Sequence, residues 1–413
     1  MKRILLCTFM LCCCISSLFA DSWTDENGVT WYYSITYETQ EAQISGAEGF
    51  GDILTIPEKI TYFHAGEERE AKVTSIHGYN NIQGSNIVEV TLPSTVTYIG
   101  EETFYNCSSL TQINGLSNCY RIGRRAFDSC KSLVSIDLTN CTYVGDLAFQ
   151  CCSSLTDVGD LSACVYIGHS AFYNCSSLVN SGKLTACTEV QMGAFSGCSS
   201  LKSIDLPNCE SIGNSAFLEC HSLEAVTNLT KCKQIDASAF MRCHSLTDIG
   251  ELPVCKSVGN AAFQECISLA SIPNMPECEI IERYAFSQCS SLETVGNLPK
   301  CKTIGEYAFQ CYEFYDFEKE IYVTCKSTLK SIGNLSACTL IDNYAFSGCS
   351  MLTNIGNLPA CTTIGNSAFM NCSSLTSIGE LPVCTKVKDN AFSNCKLLTN
   401  IPNYCCPVKL KTA

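Results

Sequence analysis

Residues 364–384 read IGNSAFMNCSSLTSIGELPVC, and close variants of this phrase occur thirteen times along a chain of 413 residues. Each copy carries one phenylalanine, and eleven of the twelve intervals between these phenylalanines are 22 or 23 residues. That period is too long for a heptad and too short for a domain. It fits one coil of a stacked solenoid, in which each coil buries its apolar side against the next coil. The repeat therefore predicts the architecture.

The repeated phenylalanines are the predicted structural core. One ring per coil, stacked on the ring of the next coil, would form a continuous internal column. Burial of each ring would contribute roughly 1.5–3 kcal/mol. The rings of this phenylalanine column are Phe104, Phe127, Phe149, Phe172, Phe195, Phe217, Phe240, Phe263, Phe286, Phe309, Phe346, Phe369 and Phe392.

Each coil has two sections. The first section, SLTSIGELPVC at 374–384, alternates apolar and polar residues, which predicts a short strand. The second section, KSVGNAAFQEC at 256–266, has a chain-breaking glycine before a short Ala-Phe segment, which predicts a turn or a single helical or 3₁₀ turn. Most 23-residue coils carry an extra residue after the strand isoleucine, as in SIGNLSAC at 331–338. A glycine there predicts a bulge.

The first 20 residues, MKRILLCTFMLCCCISSLFA, have the pattern of a secretory signal peptide. Two basic residues precede an apolar run that ends in a small residue, Ala20. A membrane anchor is the alternative, but the run is short for a span of about 20 residues and no second apolar segment follows. Removal of 1–20 leaves 24 Lys+Arg against 40 Asp+Glu, a formal charge of −16. An acidic surface repels phosphate backbones, so nucleic acid is not an expected partner.

The ends of the repeat array define the remaining regions. Residues 21–86 contain both tryptophans and read as short strands, which predicts a β-rich N-terminal cap with degenerate coils. A separate ligand-binding domain is the alternative. The solenoid is expected to occupy 87–398 in about thirteen coils. Residues 399–413 are expected to form a C-terminal cap or tail.

The chain contains 33 cysteines, of which 29 lie after residue 20. The first thiol column comprises the twelve that lie three residues after a repeat phenylalanine: Cys107, Cys130, Cys152, Cys175, Cys198, Cys220, Cys243, Cys266, Cys289, Cys349, Cys372 and Cys395. The second thiol column comprises the twelve that lie eight residues before one: Cys119, Cys141, Cys164, Cys187, Cys209, Cys232, Cys255, Cys278, Cys301, Cys338, Cys361 and Cys384.

Two interpretations of these columns remain open. Val96 occupies the second-column position in the first coil, so cysteine stands where a core valine can stand, and free cysteine is a small buried hydrophobe. Secretion and cysteine density favour disulfides instead, although stacked residues in a parallel ladder point the same way. A metal site is not expected, because the mature chain has no CxxC pair. His221 and His244 would stack on neighbouring coils, in an exposed polar position.

One interval is longer than the others: Phe309 and Phe346 are 37 residues apart. The additional residues, at 310–327, form an insertion, and insertions in repeat proteins become loops that often carry binding. Cys311 and Cys325 flank it and could close it as a disulfide loop. The alternative is a tolerated loop whose rings fold back onto the solenoid. The candidate binding residues are Tyr312, Phe314, Tyr315, Phe317 and Tyr322, because aromatic residues beside charge are typical of binding hot spots.

The segment from Val90 to Leu110, VTLPSTVTYIGEETFYNCSSL, resembles the repeat of the BspA-like leucine-rich repeat family, and the resemblance extends from Ile87 to Leu398. It implies a right-handed leucine-rich repeat superhelix, with short parallel strands on one face and turns or short helical segments on the other. It also implies a secreted or cell-surface protein that binds extracellular or cell-surface proteins such as fibronectin and fibrinogen. The cysteine in LPxC departs from the family pattern, which leaves the curvature open.

The predicted function is therefore a secreted or cell-surface solenoid for adhesion or protein binding. A passive surface coat is the alternative. An enzyme is not expected, because the five histidines lie in no known catalytic motif, and no cofactor is implied. The residues that flank the strand isoleucine are small or polar and suit weak contacts multiplied along the array. This polar stripe includes Gln112, Ser135, Asp157, Ser203, Asp248, Thr294, Asn354 and Ser377.

Overall fold

The computed structural model describes residues 21–80, 82–312, 314–316, 321–323 and 326–399. The predicted signal peptide and the C-terminal residues from 400 onward lie outside this range. Within it the chain winds as a series of short strands and turns, one coil for each repeat phenylalanine. The apolar side chains of successive coils form one contiguous buried cluster that runs from Trp31 to Leu398.

The longest sheet runs through the second section of the coils. It contains thirteen solenoid strands of two residues each, which are the sixth and fifth residues before a repeat phenylalanine. Strands of successive coils pair in parallel. These strands are Tyr98–Ile99, Arg121–Ile122, Tyr143–Val144, Tyr166–Ile167, Glu189–Val190, Ser211–Ile212, Gln234–Ile235, Ser257–Val258, Ile280–Ile281, Thr303–Ile304, Leu340–Ile341, Thr363–Ile364 and Lys386–Val387. We call this surface the main sheet.

The first section of the coils, where the sequence predicts the strand, carries only short sheets. Its strands are Glu89–Thr91, Gln112–Asn114, Asn180–Lys183, Ser203–Asp205, Ala225–Thr227, Ser271–Ile272, Thr294–Val295 and Ser331–Ile332. Single bridges join other coils, as between Ser135 and Asp157. Pairing breaks off because glycine or proline follows the strand isoleucine in most coils. A register shift, the predicted bulge, lies between Asn180 and Lys183 around left-handed Gly182.

The phenylalanine segment consists of consecutive turns. The two 3₁₀ helices of the described residues, Leu116–Asn118 and Leu229–Lys231, follow the short strands instead, so a helical turn at the phenylalanine is not what this chain forms. The Phe217 N–H donates to the Ala239 carbonyl of the next coil at 2.8 Å. Such bonds between coils satisfy backbone groups that a helix would satisfy internally.

These turns require left-handed backbone at the second residue before each phenylalanine. The φ angle there lies between 52° and 65° in all thirteen coils. Glycine occupies the position in one coil, as Gly193. In the remaining twelve coils the position holds a residue with a Cβ, for which the left-handed conformation costs about 1–2 kcal/mol. The positions are Glu102, Arg125, Leu147, Ser170, Gly193, Ser215, Ser238, Ala261, Tyr284, Tyr307, Tyr344, Ser367 and Asn390.

The phenylalanine rings form the predicted column. Neighbouring ring centroids are 5.1–5.5 Å apart, with interplanar angles of 2–21°. All thirteen rings are buried. Offset-stacked aromatic pairs contribute about 0.5–1.5 kcal/mol beyond their area burial. The column therefore couples each coil to both of its neighbours.

The N-terminal segment continues the main sheet. Its strands are β1 Asp21–Thr24, β2 Thr30–Thr36, β3 Glu41–Glu48, β4 Ile53–Thr55, β5 Lys59–His64 and β6 Glu67–Asn80. Strands β1, β2 and β3 pair antiparallel, β3 pairs in parallel with β6, and β6 pairs in parallel with Tyr98–Ile99 of the first coil. Trp31 is fully buried, and its indole N–H donates to Asp25 Oδ2 at 3.0 Å. These pairings cover the first coil.

Truncation of a column ring should be strongly destabilising. We expect Phe217→Ala to lower the free energy of unfolding by about 3–5 kcal/mol, because the ring leaves a cavity between two packed coils. Phe217→Leu keeps most of the apolar volume but loses the two stacking contacts, and should cost about 1–3 kcal/mol. Urea denaturation followed by circular dichroism measures both. Equal and small losses in the two variants would contradict a packed column.

Relief of the left-handed backbone should stabilise the protein. We expect Ser215→Gly to raise the free energy of unfolding by about 0.5–1 kcal/mol, because glycine adopts this backbone without steric cost. Ser222→Gly in the same coil is the matched control. Its φ is not positive, so the added flexibility should cost about 0.5–1 kcal/mol. Thermal melts of the two variants should therefore shift in opposite directions. A shift of the same sign would show that the turn at Ser215 is not strained.

Candidate interaction surfaces

The insertion at 310–327 leaves the phenylalanine column uninterrupted. The Phe309 and Phe346 rings on either side of it are 5.1 Å apart and nearly parallel. Residues Phe314–Asp316 and Ile321–Val323 pair as two antiparallel strands. The insertion therefore contains a β-hairpin that is added to a coil without displacing its neighbours.

The candidate binding residues of the insertion are only partly described. Tyr312 is 45% exposed. Phe314, Tyr315 and Tyr322 lie on the two hairpin strands, with Tyr315 opposite Tyr322, whereas Phe317 lies outside the described residues. Among the described residues, Tyr312 is thus the one candidate with a known side-chain exposure.

Cys311, at the start of the insertion, is buried and disulfide-bonded. Cys325, its predicted partner, lies outside the described residues, so this pairing stays a prediction. Tyr312 occupies the position that a first-column cysteine occupies in the other coils. Ser327 is buried where the regular coil resumes, and its hydroxyl accepts a hydrogen bond from the Leu329 N–H at 3.3 Å.

The thiols of both columns are free and buried. First-column thiols after Cys107 donate to the phenylalanine carbonyl of the preceding coil, as Cys198 Sγ does to Phe172 O at 3.1 Å, and Cys107 Sγ donates to Ile82 O at 3.2 Å. Second-column thiols donate to the carbonyl two residues later in the same coil, as Cys187 Sγ does to Glu189 O at 3.2 Å. The column cysteines form no disulfides with their stacked neighbours, the alternative from sequence. Most of the thiols are directed at a backbone carbonyl, although Cys278 is also hydrogen-bonded to Cys301, and Cys361 to Cys384.

Burial also makes most of these thiols chemically quiet, whereas a hydrogen bond with the neighbouring thiol, Cys278 or Cys361, lowers the pKa of Cys301 and that of Cys384. Burial raises the pKa of the Cys289 thiol to about 12 and that of the Cys209 thiol to about 12. At neutral pH both stay protonated, which is the form that can donate to a carbonyl, whereas the thiolate is the nucleophile. The columns therefore act as core packing that also hydrogen-bonds.

The predicted polar stripe lies on the short-strand side. Seven of its eight named residues are exposed, and Ser377 is half-buried. Farther along the same turn, asparagines form a ladder: Asn274 Oδ1 accepts from the Asn297 N–H at 2.8 Å, and Asn297 Oδ1 accepts from the Asn334 N–H at 2.9 Å. Many of the polar groups on this side are thus used between coils.

Sequence reasoning missed a second stripe, on the main sheet. Tyr98, Arg121, Tyr143 and Tyr166 occupy the same position in four successive coils, six residues before the phenylalanine. The Arg121 guanidinium carbon lies 4.2 Å from the Tyr143 ring centroid and 5.6 Å from that of Tyr98. The Tyr143 and Tyr166 rings stack at 4.8 Å. We call these four residues the aromatic–arginine stripe; alignment on the phenylalanine would have found it.

The histidines show no metal-binding geometry in the part of the chain that is described. The His221 and His244 rings stack at 4.7 Å, as expected for like residues on adjacent coils. His221 Nδ1 is 3.0 Å from the Arg242 carbonyl oxygen. No group of three or more His, Cys, Asp or Glu residues among the described residues could hold a metal ion.

Comparison with known proteins agrees with this repeat geometry. The family model of the BspA type leucine rich repeat region matches residues 74–186, 166–292, 251–334 and 316–404, which together span most of the chain. The chain belongs to the BspA-type leucine-rich repeat family. The fold and family are typically non-catalytic. No curated protein matches the chain.

Solved structures of bacterial leucine-rich repeat proteins resemble this member of the family. A leucine-rich repeat protein from Bacteroides ovatus ATCC 8483 is 27% identical, with 84% of this chain and 92% of that chain covered and a TM-score of 0.50. A leucine rich cell surface protein from Faecalibacterium prausnitzii A2-165 is 23% identical, with 93% and 95% covered and a TM-score of 0.41. Among the described residues, no helix is both long and apolar enough to cross a bilayer.

The two thiol columns should respond differently to valine. We expect Cys198→Val to cost about 1–3 kcal/mol of unfolding free energy, because a branched side chain overpacks the site and removes the donor to Phe172 O. Cys187→Val should cost less than about 1 kcal/mol, because Val96 already fills the second-column position in the first coil. Chemical denaturation of both variants gives the comparison. A larger loss for Cys187→Val than for Cys198→Val would show that valine does not fit the second-column position in this coil.

Proposed function

We propose that the protein is a secreted or cell-surface solenoid that binds extracellular or cell-surface proteins, with the insertion as one contact. The family supports a protein-binding scaffold. The signal-peptide pattern of residues 1–20 supports secretion.

The observation that carries the proposal is the hairpin added at one coil. Twelve ring contacts between neighbouring coils form the phenylalanine column. The insertion lies between Phe309 and Phe346, and the contact between these two rings has the same geometry as the other eleven. A segment that is not needed for stacking is free to serve recognition. Its aromatic residues Tyr312, Phe314, Tyr315, Phe317 and Tyr322 are of the types that dominate binding hot spots.

The insertion can be removed without loss of the repeat. Deletion of residues 312–325 together with Lys326→Cys restores the 23-residue spacing and yields Gln-Cys-Cys-Ser, the sequence of residues 150–153. We expect this variant to keep its melting temperature and to lose saturable binding to immobilised fibronectin, fibrinogen or host cell surfaces, measured by biolayer interferometry. Unchanged binding would remove the insertion as the contact. Self-assembly without binding would favour a surface coat.

A point variant gives a matched control. Tyr312→Ala should weaken the same binding about tenfold or more, as truncation of a hot-spot tyrosine does. Tyr173 is 38% exposed on a regular coil, and Tyr173→Ala should leave binding unchanged. Equal losses of binding in the two variants would show that the effect does not depend on the tyrosine lying in the insertion.

A further inference from the structure

Arg121 differs from every other arginine of the described residues. Arg69, Arg124, Arg125, Arg242 and Arg283 each have a carboxylate oxygen within 3.7 Å. Arg121 has none within 4.0 Å in the described part of the chain; it lies between two tyrosine rings and is exposed. Its charge is therefore not neutralised by a carboxylate of the described residues.

Stacking prepares this guanidinium for binding. Contact with Tyr98 and Tyr143 contributes about 0.5–1 kcal/mol for each exposed cation–π pair and restricts the long side chain, so less conformational entropy is lost when it forms hydrogen bonds. A guanidinium presents N–H donors in a planar fork that matches a carboxylate with two parallel bonds. The stripe thus presents an ordered donor at its centre.

The surroundings of Arg121 favour one carboxylate over a polyanion. Arg124 and Arg125 are adjacent in sequence, but Glu101 neutralises the first, and Glu102 and Asp128 neutralise the second. The whole chain has a formal charge of −14. A sulfated polysaccharide requires several free cations, whereas this surface offers one.

Exposed side chains with apolar surface lie next to the stripe, directly before two strands of the main sheet. Tyr120 is 51% exposed and Val165 is 57% exposed, and each directly precedes a residue of the stripe. Tyrosine and arginine are the residue types most enriched among binding hot spots. The surface therefore combines one directional polar contact with apolar contact area.

We propose that the aromatic–arginine stripe is a docking surface for a protein partner that inserts a single Asp or Glu side chain flanked by apolar residues. This inference rests on the proposed protein-binding function but not on the insertion, which belongs to coils far from Tyr98–Tyr166 in the array. The partner carboxylate accepts two hydrogen bonds from Arg121, and its apolar neighbours contact Tyr120 and Val165.

The test uses a random peptide library displayed on phage and selected against the immobilised mature chain. Selected peptides should share one Asp or Glu among apolar residues. Replacement of that residue by Asn or Gln, or Arg121→Gln in the protein, should each weaken binding about tenfold or more in fluorescence polarisation. The two changes combined should cost no more than either one alone. Arg121→Lys keeps the charge but not the planar fork and should also lose most of the binding.

Arg124→Gln is the matched control, because it makes the same change in net charge beside the stripe and should leave peptide binding within about twofold. Peptides without a shared carboxylate, equal effects of Arg121→Gln and Arg124→Gln, or unimpaired binding by Arg121→Lys would each overturn the proposal. So would heparin binding that depends on Arg121, which would indicate a polyanion site. If fibronectin or fibrinogen binds but ignores Arg121→Gln, the stripe fails and the protein-binding function stands. If peptides bind in an Arg121-dependent way but no matrix protein binds, the stripe stands and the proposed binding of matrix proteins fails.

Discussion

Offset stacking of one phenylalanine per coil is the contact on which the structure depends. A coil of 22 or 23 residues is too small to bury a core of its own, so each coil is stable only against its neighbours. The column holds successive coils in one register, at ring separations of 5.1–5.5 Å. Every other ladder in the molecule follows from that register, including the two thiol columns and the intercoil backbone bonds.

The stacked register also explains why cysteine is so frequent. A thiol is small and apolar enough to be buried, yet it can donate to a carbonyl. In the first column the Cys130 thiol reaches Phe104 O at 3.1 Å, and in the second the Cys141 thiol reaches Tyr143 O at 3.2 Å. Valine would fill similar space without a donor. The columns thus add directional contacts to a core that is otherwise held by nondirectional packing.

The parts of this fold that recur in the sequence could be predicted from it. The period gave the solenoid, and the single phenylalanine per coil gave the column. The location of the main sheet could not be predicted, because strands of two residues such as Ser257–Val258 show no alternation within themselves. Their pairing exists only between coils. The left-handed turns could not be predicted either. Glycine normally indicates such a turn, but residues such as Leu147 and Ser215 occupy the position here.

The candidate sites lie where the repeat departs from its usual spacing or its usual composition. The insertion was visible as an irregular interval, so sequence reasoning found it, although Phe317 and Cys325 lie outside the described residues. The aromatic–arginine stripe changes no spacing. Tyr98, Arg121 and Tyr143 are far apart in sequence and become neighbours only through stacking. On a scaffold of this kind, a surface is created when one column position changes residue type over several adjacent coils.

A double-mutant cycle between adjacent column rings tests the stacking most directly. Phe217→Leu and Phe240→Leu remove the rings of one contact, whose centroids are 5.1 Å apart, while Phe217→Leu and Phe369→Leu involve rings that do not touch. Stacking predicts a coupling free energy of about 0.5–1.5 kcal/mol for the adjacent pair and additivity for the distant pair. Additivity within about 0.5 kcal/mol for both pairs would contradict the column as the contact that joins the coils.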